Sequence, residues 1–234
     1  MQRMSLPASP IAGRSLLFAL MFALVLGACD NSSGGSERLY SDEDVNYFVE
    51  VALGSEFGSS TKVVRKWLRD VEIQVVGTPT SRDEETLQAV IADLNALIDD
   101  IDVSLVESEP NVEIHVVPTS EFTSIEPNYV PGNLGFFWTF WNANAINRAR
   151  ILIATDQVTQ AERSHLIREE LTQSLGLFND SDRYPESIFY QQWTSVQEYS
   201  DRDRKLIQML YRPDIRPGMN EDAVRKVLES LLAE

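Results

Sequence analysis

The sequence predicts an α+β fold in a single domain, with a mixed twisted sheet and helices near the carboxyl terminus. Residues 71–76 alternate apolar and polar side chains, as a half-buried strand does. Apolar residues recur at helical spacing from Leu87 to Ile98. The predicted elements follow in the order helix, strand, helix, four strands and helix, and the 234 residues suffice for one full core.

The first predicted elements lead into the sheet. Ser41 and the three acids after it have the pattern of a helix start, and the helix should extend to about Leu53. Glycines end this helix, and a short segment over residues 61–68 precedes the first clear strand. That strand should end at Gly77.

The next helix has a capping box formed by Ser81 and Glu84, and it should extend to Ile98. The same patterns predict strands over residues 102–106, 112–117, 136–141 and 146–154, and helices over residues 159–177 and 220–231.

The first residues have the pattern of a bacterial lipoprotein leader. Arg3 and Arg14 precede an apolar run, residues 16–26, that is too short to cross a membrane. Residues 26–29, Leu-Gly-Ala-Cys, resemble the lipobox, in which Cys29 becomes the lipidated first residue of the mature protein. We therefore expect these divisions: a signal peptide over 1–28, a lipid-anchored flexible tether over 29–38, the folded domain over 39–219 and a carboxyl-terminal amphipathic helix over 220–234.

The expected anchor attaches the protein to a membrane of the bacterial cell envelope, facing the periplasm. Asp30 directly after the cysteine resembles an inner-membrane retention signal, and an outer-membrane location stays open. Because Cys29 is the only cysteine, an internal disulfide is excluded.

The charge limits the classes of partner. Removing residues 1–28 leaves 234 − 28 = 206 residues and takes away two arginines, so the formal net charge changes from −16 to −18. This surface argues against nucleic acid as a partner. It also argues against anionic glycans and headgroups, since no run of Lys and Arg is long enough to make a basic patch.

One helical segment carries a pattern of catalytic chemistry. Residues 169–177, Glu-Glu-Leu-Thr-Gln-Ser-Leu-Gly-Leu, resemble the H-E-x-x-H-x-L-G-L helix of metzincin-type zinc proteases. The resemblance places the first zinc ligand at Glu169, the general base at Glu170, the second ligand at Gln173 and the third at Asn179. The predicted order of strands and helices also agrees with a metzincin-type, zincin-like domain.

The residues at these ligand positions do not suit zinc, which favours imidazole and thiolate ligands. Glu169, Gln173 and Asn179 offer only oxygen or amide donors, which suit calcium or magnesium better. Their spacing is not that of a calcium-binding loop. We therefore predict neither a bound metal nor another cofactor.

Further motifs resemble the uncharacterised bacterial lipoprotein family called domain of unknown function 2927. They are the lipobox, the segment that begins at Glu169, residues 184–189 (Tyr-Pro-Glu-Ser-Ile-Phe) and residues 201–219. The resemblance extends from about Phe48 to Met219. It implies that residues 184–189 form the turn that carries a methionine below the zinc of metzincins, with Phe189 at the methionine position, and that residues 201–211 form the closing helix.

Glu170 is the candidate catalytic residue. On a helical wheel it lies inside the apolar arc, whereas Glu169 is predicted to point outward. A buried carboxylate is a general acid or base with a raised pKa, or it belongs to a structural ion pair. Candidate partners for that ion pair are Arg148, Arg150 and Arg168.

The densest aromatic cluster lies over residues 136–141. In a strand, alternate side chains face opposite sides of the sheet, so one side joins the core and the other is free to contact a peptide or sugar ring. The expected cleft residues are Phe136, Trp138, Phe140 and Phe189.

Three functions remain open at this stage. The first is a metal-free, non-peptidase zincin relative that binds a protein or peptide ligand in its cleft. The second is a hydrolase of peptide or cell-wall polymer that uses Glu170 as general acid or base. The third is an envelope assembly or anchoring factor that uses its carboxyl-terminal helix.

His165 and Glu169, four residues apart, are positioned for a hydrogen bond, although a histidine near a helix start is commonly exposed.

Overall fold

The computed structural model describes residues 38–54 and 61–231, all within one compact unit over residues 36–234. Cys29, Asp30, the signal peptide and most of the tether lie outside the described residues. The described elements are α1 (Asp42–Leu53), β1 (Lys66–Trp67), β2 (Val71–Gly77), α2 (Ser81–Leu97), β3 (Val103–Leu105), β4 (Val112–Val117), a 3-10 turn (Thr119–Glu121), α3 (Phe122–Ile125), β5 (Gly135–Asn142), β6 (Ala145–Ala154), α4 (Gln160–Gln173), α5 (Asp201–Leu210) and α6 (Glu221–Leu228).

The sheet is mixed, as predicted, and its strands lie in the order β3, β2, β4, β6, β5. All neighbours in this order are parallel except β5, which pairs antiparallel with β6 along nearly its whole length. The short strand β1 pairs parallel with the first residues of β6, on the side that β4 occupies farther along. Among the strands of residues 38–54 and 61–231, β5 is therefore an edge of the sheet.

Two apolar layers cover the sheet. The larger core includes side chains of α1, α2, α4, α5 and α6 and one face of the strands. A smaller cluster on the other face includes Phe122, Phe136 and Leu152, with Tyr129 and Trp138 packed against it. The α+β class is thus confirmed, and α4 packs against β5 and β6.

Local details differ from the sequence prediction at two helices. The capping box of α2 is formed by Thr80 and Asp83, one residue before the predicted pair. Helix α4 ends at Gln173 and does not continue to Leu177. Gly176 causes this end, because it has a φ of +125° and lies so close to the carbonyl of Arg65 that a β-carbon would not fit.

The last helix packs on the body of the domain. Asn220 caps α6 by accepting a hydrogen bond from the Ala223 amide, and Val224 and Leu228 are fully buried in the larger core. Helix α6 contacts α1, and the amide of Leu39 donates to the carbonyl of Leu231. Among the described residues, no helix has the length and apolar character needed to span a bilayer.

Candidate functional site

A cleft of about 270 Å³ lies between the start of β5 and the middle of α4. Leu166, Glu169 and Glu170 form its floor on α4, since positions three and four apart share a helix face. The walls are the segment 132–137 and the residues Gln191 and Trp193 of the loop after α4. The candidate carboxylate and the edge strand therefore meet in one cleft.

Glu170 fits under the edge strand because residue 135 is a glycine. The Glu170 residue is 7% exposed, and a β-carbon on Gly135 would overlap Oε1 of its carboxylate. The same β-carbon would lie 2.8 Å from Cδ2 of Leu166. The cleft-facing position of Glu170 agrees with the helical wheel.

The three arginines considered as partners of Glu170 make other contacts. Arg148 lies over the ring of Phe140, Arg150 pairs with Glu113 and Glu126, and Arg168 pairs with Asp93.

Glu169 does not point outward, which corrects the wheel-based prediction. Its carboxylate lies 3.2 Å from Nε2 of His165, and both residues are largely shielded from solvent. The other ring nitrogen, Nδ1, is 2.6 Å from the carbonyl of Val196. Because both ring nitrogens face acceptors, the charged imidazolium is favoured. His165 is thus buried, contrary to the expectation of an exposed histidine.

The pKa of His165 follows from this environment. Burial alone lowers the pKa of the imidazole, but the hydrogen bond that the ring donates to Glu169, the negative charge of Glu169 and the carbonyl of Val196 together raise the pKa above the ordinary value.

Two hydrogen bonds hold the loop after α4 against the helix. One joins His165 to the carbonyl of Val196. In the other, the indole nitrogen of Trp193 donates to Glu162 at 2.7 Å.

The remaining ligand positions of the metzincin pattern lie apart from the cleft floor. Gln173 is buried, and its side-chain amide donates to Asp180 at 2.6 Å. Asn179 packs against Gly54 at the end of α1, and its side-chain amide donates to the carbonyl of Asp180. The described residues contain no group of three or more His, Cys, Asp or Glu able to hold a metal ion. These donors do not fit a zinc site, since zinc in proteins is bound mainly by imidazole and thiolate.

The outer edge of β5 carries backbone hydrogen-bonding groups beside this cleft, at Phe137, which is partly exposed, and at Gly135 and Thr139, which are buried. The Ala154 amide donates to the carbonyl of Leu134 at 2.9 Å, so this pair is a hydrogen-bonded pair of the antiparallel ladder. Such pairs alternate with pairs that do not bond to each other. Gly135, Phe137 and Thr139 therefore direct their N–H and C=O groups away from β6. Within the described part of the chain, no strand pairs with this edge.

Comparison with known proteins identifies the family. A family model described as a protein of unknown function, DUF2927, matches residues 41–230. The chain belongs to this family. Among curated proteins, no match was found. Two solved structures of myroilysin are similar, at 10% and 13% sequence identity; each comparison has a TM-score of 0.42 and covers 76% of this chain and 99% of the myroilysin chain.

In this DUF2927 chain the structure corrects the prediction of which aromatic residues line the cleft. Phe136 lines the rim of the cleft, but it belongs to the smaller core on the far side of the sheet, and Trp138 packs there too. Phe140 lies on that same far side, under the guanidinium of Arg148. Phe189 is fully buried in the larger core. The ring on the α4 side is Phe137, which stacks on Phe178 at 5.6 Å.

Sequence reasoning missed Gly135, Phe137 and Trp193 as residues of the site. The strand alternation identified two faces but not which of them α4 covers. A signal for Gly135 was present, because a glycine at the start of an aromatic strand indicates a close approach by a neighbour. Trp193 lies in a loop, and no periodic pattern relates it to the helix.

Proposed function

We propose that this protein binds an extended polypeptide segment of a partner in the cleft between β5 and α4, without metal-dependent hydrolysis. The observation that carries the proposal is the outer edge of β5 over Gly135, Phe137 and Thr139, whose backbone groups point away from β6. An extended peptide adds to such an edge as a further strand, with main-chain hydrogen bonds supplying affinity.

The lining of the cleft defines the ligand chemistry. Glu169 and Glu170 make the floor acidic, although Glu169 is partly neutralised by His165. Trp193 is 57% exposed at the wall and is held by Glu162, so its ring is available for stacking. We expect a peptide with a basic side chain over the floor and an apolar or aromatic residue against Trp193.

A display library of unstructured peptides, screened against residues 36–234, tests the proposal. Binding peptides are then measured by isothermal titration calorimetry with the Trp193→Ala variant and with Trp141→Ala as a matched control. Trp141 is also exposed but lies at the far end of β5. Trp193→Ala should weaken binding about tenfold, as the loss of an aromatic contact does, and the control should bind normally. A library that yields no binder, or two variants with equal effects, would contradict the proposal.

Membrane attachment is part of the proposed function. The lipobox motif supports acylation at Cys29, and Asp30 supports retention at the inner membrane. Labelling of cells with an alkyne palmitate analogue should mark the wild-type protein and should not mark Cys29→Ser. Equal labelling of both proteins would contradict the assignment.

A second candidate function is hydrolysis of peptide or cell-wall polymer with Glu170 as general acid or base. Its specific support is the position of Glu170 directly beneath the edge strand, where a bound chain would lie. Turnover of a candidate polymer by the wild type, abolished in Glu170→Gln with an unchanged melting temperature, would favour it. Full turnover by Glu170→Gln would exclude that role for Glu170.

A further inference from the structure

The cleft is too small for the strand that the proposed function adds to β5. A segment paired with Gly135, Phe137 and Thr139 extends along five positions of β5, or about 17 Å. The cleft has a volume of about 270 Å³, below the range of about 300–1,000 Å³ that encloses a drug-sized molecule. Its lining on β5 ends at Phe137, and both Gly135 and Thr139 are buried. One boundary of the cleft must therefore move before a polypeptide enters.

Two of the boundaries are held by the fold itself. The floor belongs to α4, which is fixed by side chains in the larger core such as Leu171. The wall over residues 132–137 continues into β5, which pairs with β6 along nearly its whole length. Its first part is also held by Tyr129, whose hydroxyl donates to the carbonyl of Asn133 at 2.8 Å. Moving either boundary would disrupt the core or the sheet.

The remaining boundary belongs to a segment with few bonds. Residues 192–198 lie between α4 and α5 without regular secondary structure, and we call them the strap. Trp193 of the strap lines the cleft together with Gln191, which directly precedes the strap. Within the described part of the chain, residues 192–198 form no backbone–backbone hydrogen bond. Local opening costs least where such bonds and buried apolar contacts are few.

Both ends of the strap are fixed. Before it, the Gln191 amide donates to the carbonyl of Ser181 at 3.1 Å, and Ser181 forms a β-bridge with Tyr190. After it, Tyr199 is buried, and its hydroxyl lies 2.6 Å from that of Thr172 in a hydrogen bond. The seven residues between these fixed ends can therefore swing away from α4 while the rest of the domain stays folded.

The strap is held to α4 mainly by side chains. The indole of Trp193 donates to Glu162 in a bond that is exposed to solvent, so water competes for both groups. The ring of His165 lies 2.6 Å from the carbonyl of Val196, and the side chain of Val196 is partly buried against the larger core. These contacts are few enough to break and re-form without unfolding of the helix.

We propose that the strap is a lid, which swings away from α4 to admit the polypeptide, and that the structure shows its closed position. This inference rests on the proposed function and names the step that controls access to the same cleft. The open state is the one that binds. The affinity for a polypeptide is then reduced by the fraction of molecules that are closed, so every contact that holds the strap against α4 opposes binding.

Val196→Ala loosens the strap without changing the lining of the cleft. Val196 is not a lining residue, and the substitution alters no charge. Loss of two methyl groups from this partly buried side chain should raise the open fraction and strengthen peptide binding about fivefold. Ser195→Ala is the matched control, since Ser195 is exposed on the same strap and should bind as the wild type does. A merely structural role for Val196 would not strengthen binding.

A reversible cross-link tests the lid most directly. The compact unit of residues 36–234 contains no cysteine, because Cys29 is the only one in the chain. In Glu162→Cys/Trp193→Cys the two thiols replace a hydrogen-bonded pair, and a short cleavable bismaleimide joins them. Binding of the library-selected peptides is measured by calorimetry before linking, after linking and after cleavage of the linker. The linked form should bind at least about tenfold more weakly, and cleavage should restore the affinity of the unlinked variant.

The comparison stays within one double variant, so the loss of the Trp193 ring affects all three samples alike. Circular dichroism melts establish that each variant is folded. Equal binding by the linked and unlinked forms, or weaker or unchanged binding by Val196→Ala, would overturn the lid and leave the proposed function in place. A library without binders is a different result, since it would overturn the proposed function and this inference with it.

Discussion

The carboxylate of Glu170 lies directly against the α-carbon of Gly135, in the space that a β-carbon would fill. This relationship joins helix α4 to the edge strand β5 at the floor of the cleft. Any larger residue at position 135 must displace either the carboxylate or Leu166. The shape of the candidate site thus depends on the absence of one side chain.

Replacing Gly135 with alanine should destabilise the protein by about 1–3 kcal/mol, which is typical of overpacking. The cause is steric, since Gly135 is not among the residues with a positive φ. Urea unfolding measures the change. In a Glu170→Ala background the same substitution should cost less, because one of the two overlapping neighbours is gone. Equal costs in both backgrounds would contradict the close approach.

The raised pKa of His165 predicts a pH dependence of stability. A histidine whose pKa is raised by folding stabilises the native state fully below its unfolded pKa of about 6.5, and this contribution disappears as the pH rises through the folded pKa. The difference in free energy of unfolding between wild type and His165→Gln should therefore be larger at about pH 5.5 than at about pH 9. A difference that grows with pH would refute the assignment.

The partner of His165 can be tested separately by nuclear magnetic resonance titration. In Glu169→Gln the ring stays buried but loses the negative charge beside it. The pKa of His165 should then fall, because burial disfavours the imidazolium. An unchanged titration would mean that Glu169 does not hold the proton on His165.

Asp203 stabilises the segment that was compared with the methionine turn. It is fully buried, accepts hydrogen bonds from Ser187 Oγ and the amides of Ile188 and Ser200, and burial raises its pKa. Asp203→Ala should cost about 3 kcal/mol in urea unfolding, because it leaves several buried donors without an acceptor. Asp44→Ala is the matched control, since Asp44 occupies the same capping-box position in α1 and should cost about 1 kcal/mol. Similar costs for the two variants would show that the turn does not depend on Asp203.

The carboxyl-terminal helix should behave as part of the core. Val224→Ala removes two methyl groups from a fully buried side chain and should cost about 2 kcal/mol. Lys226→Ala, on the exposed side of the same helix, should change stability by less than about 0.5 kcal/mol. Thermal melts compare the two variants. Equal, small effects would favour the hypothesis that α6 recruits a partner.

Much of the fold was predictable because each element carries its own local pattern. The alternation over residues 71–76 and the bounds of β4 correspond closely to the structure, as does the helix that begins after Ser41. The predicted capping box of α2 lies one residue after the observed one, because Thr80 and Asp83 fit the same pattern as Ser81 and Glu84. Local chemistry alone did not distinguish them.

The site was less predictable because it depends on which faces meet. Glu170 was identified from the helical wheel, whereas Glu169 was predicted to be outward because the wheel does not show the loop that carries Val196. Trp138 and Phe140 were selected from the correct strand but lie on the wrong face.

Amide hydrogen exchange along β5, measured with and without a peptide selected against the cleft, tests strand addition most directly. Peptide binding should slow exchange at Gly135, Phe137 and Thr139, whose amides point away from β6. The amides of Phe136 and Trp138 already point toward β6, so their exchange rates should change little. Unchanged exchange at the three outward amides, with protection elsewhere in the domain, would contradict the proposed function.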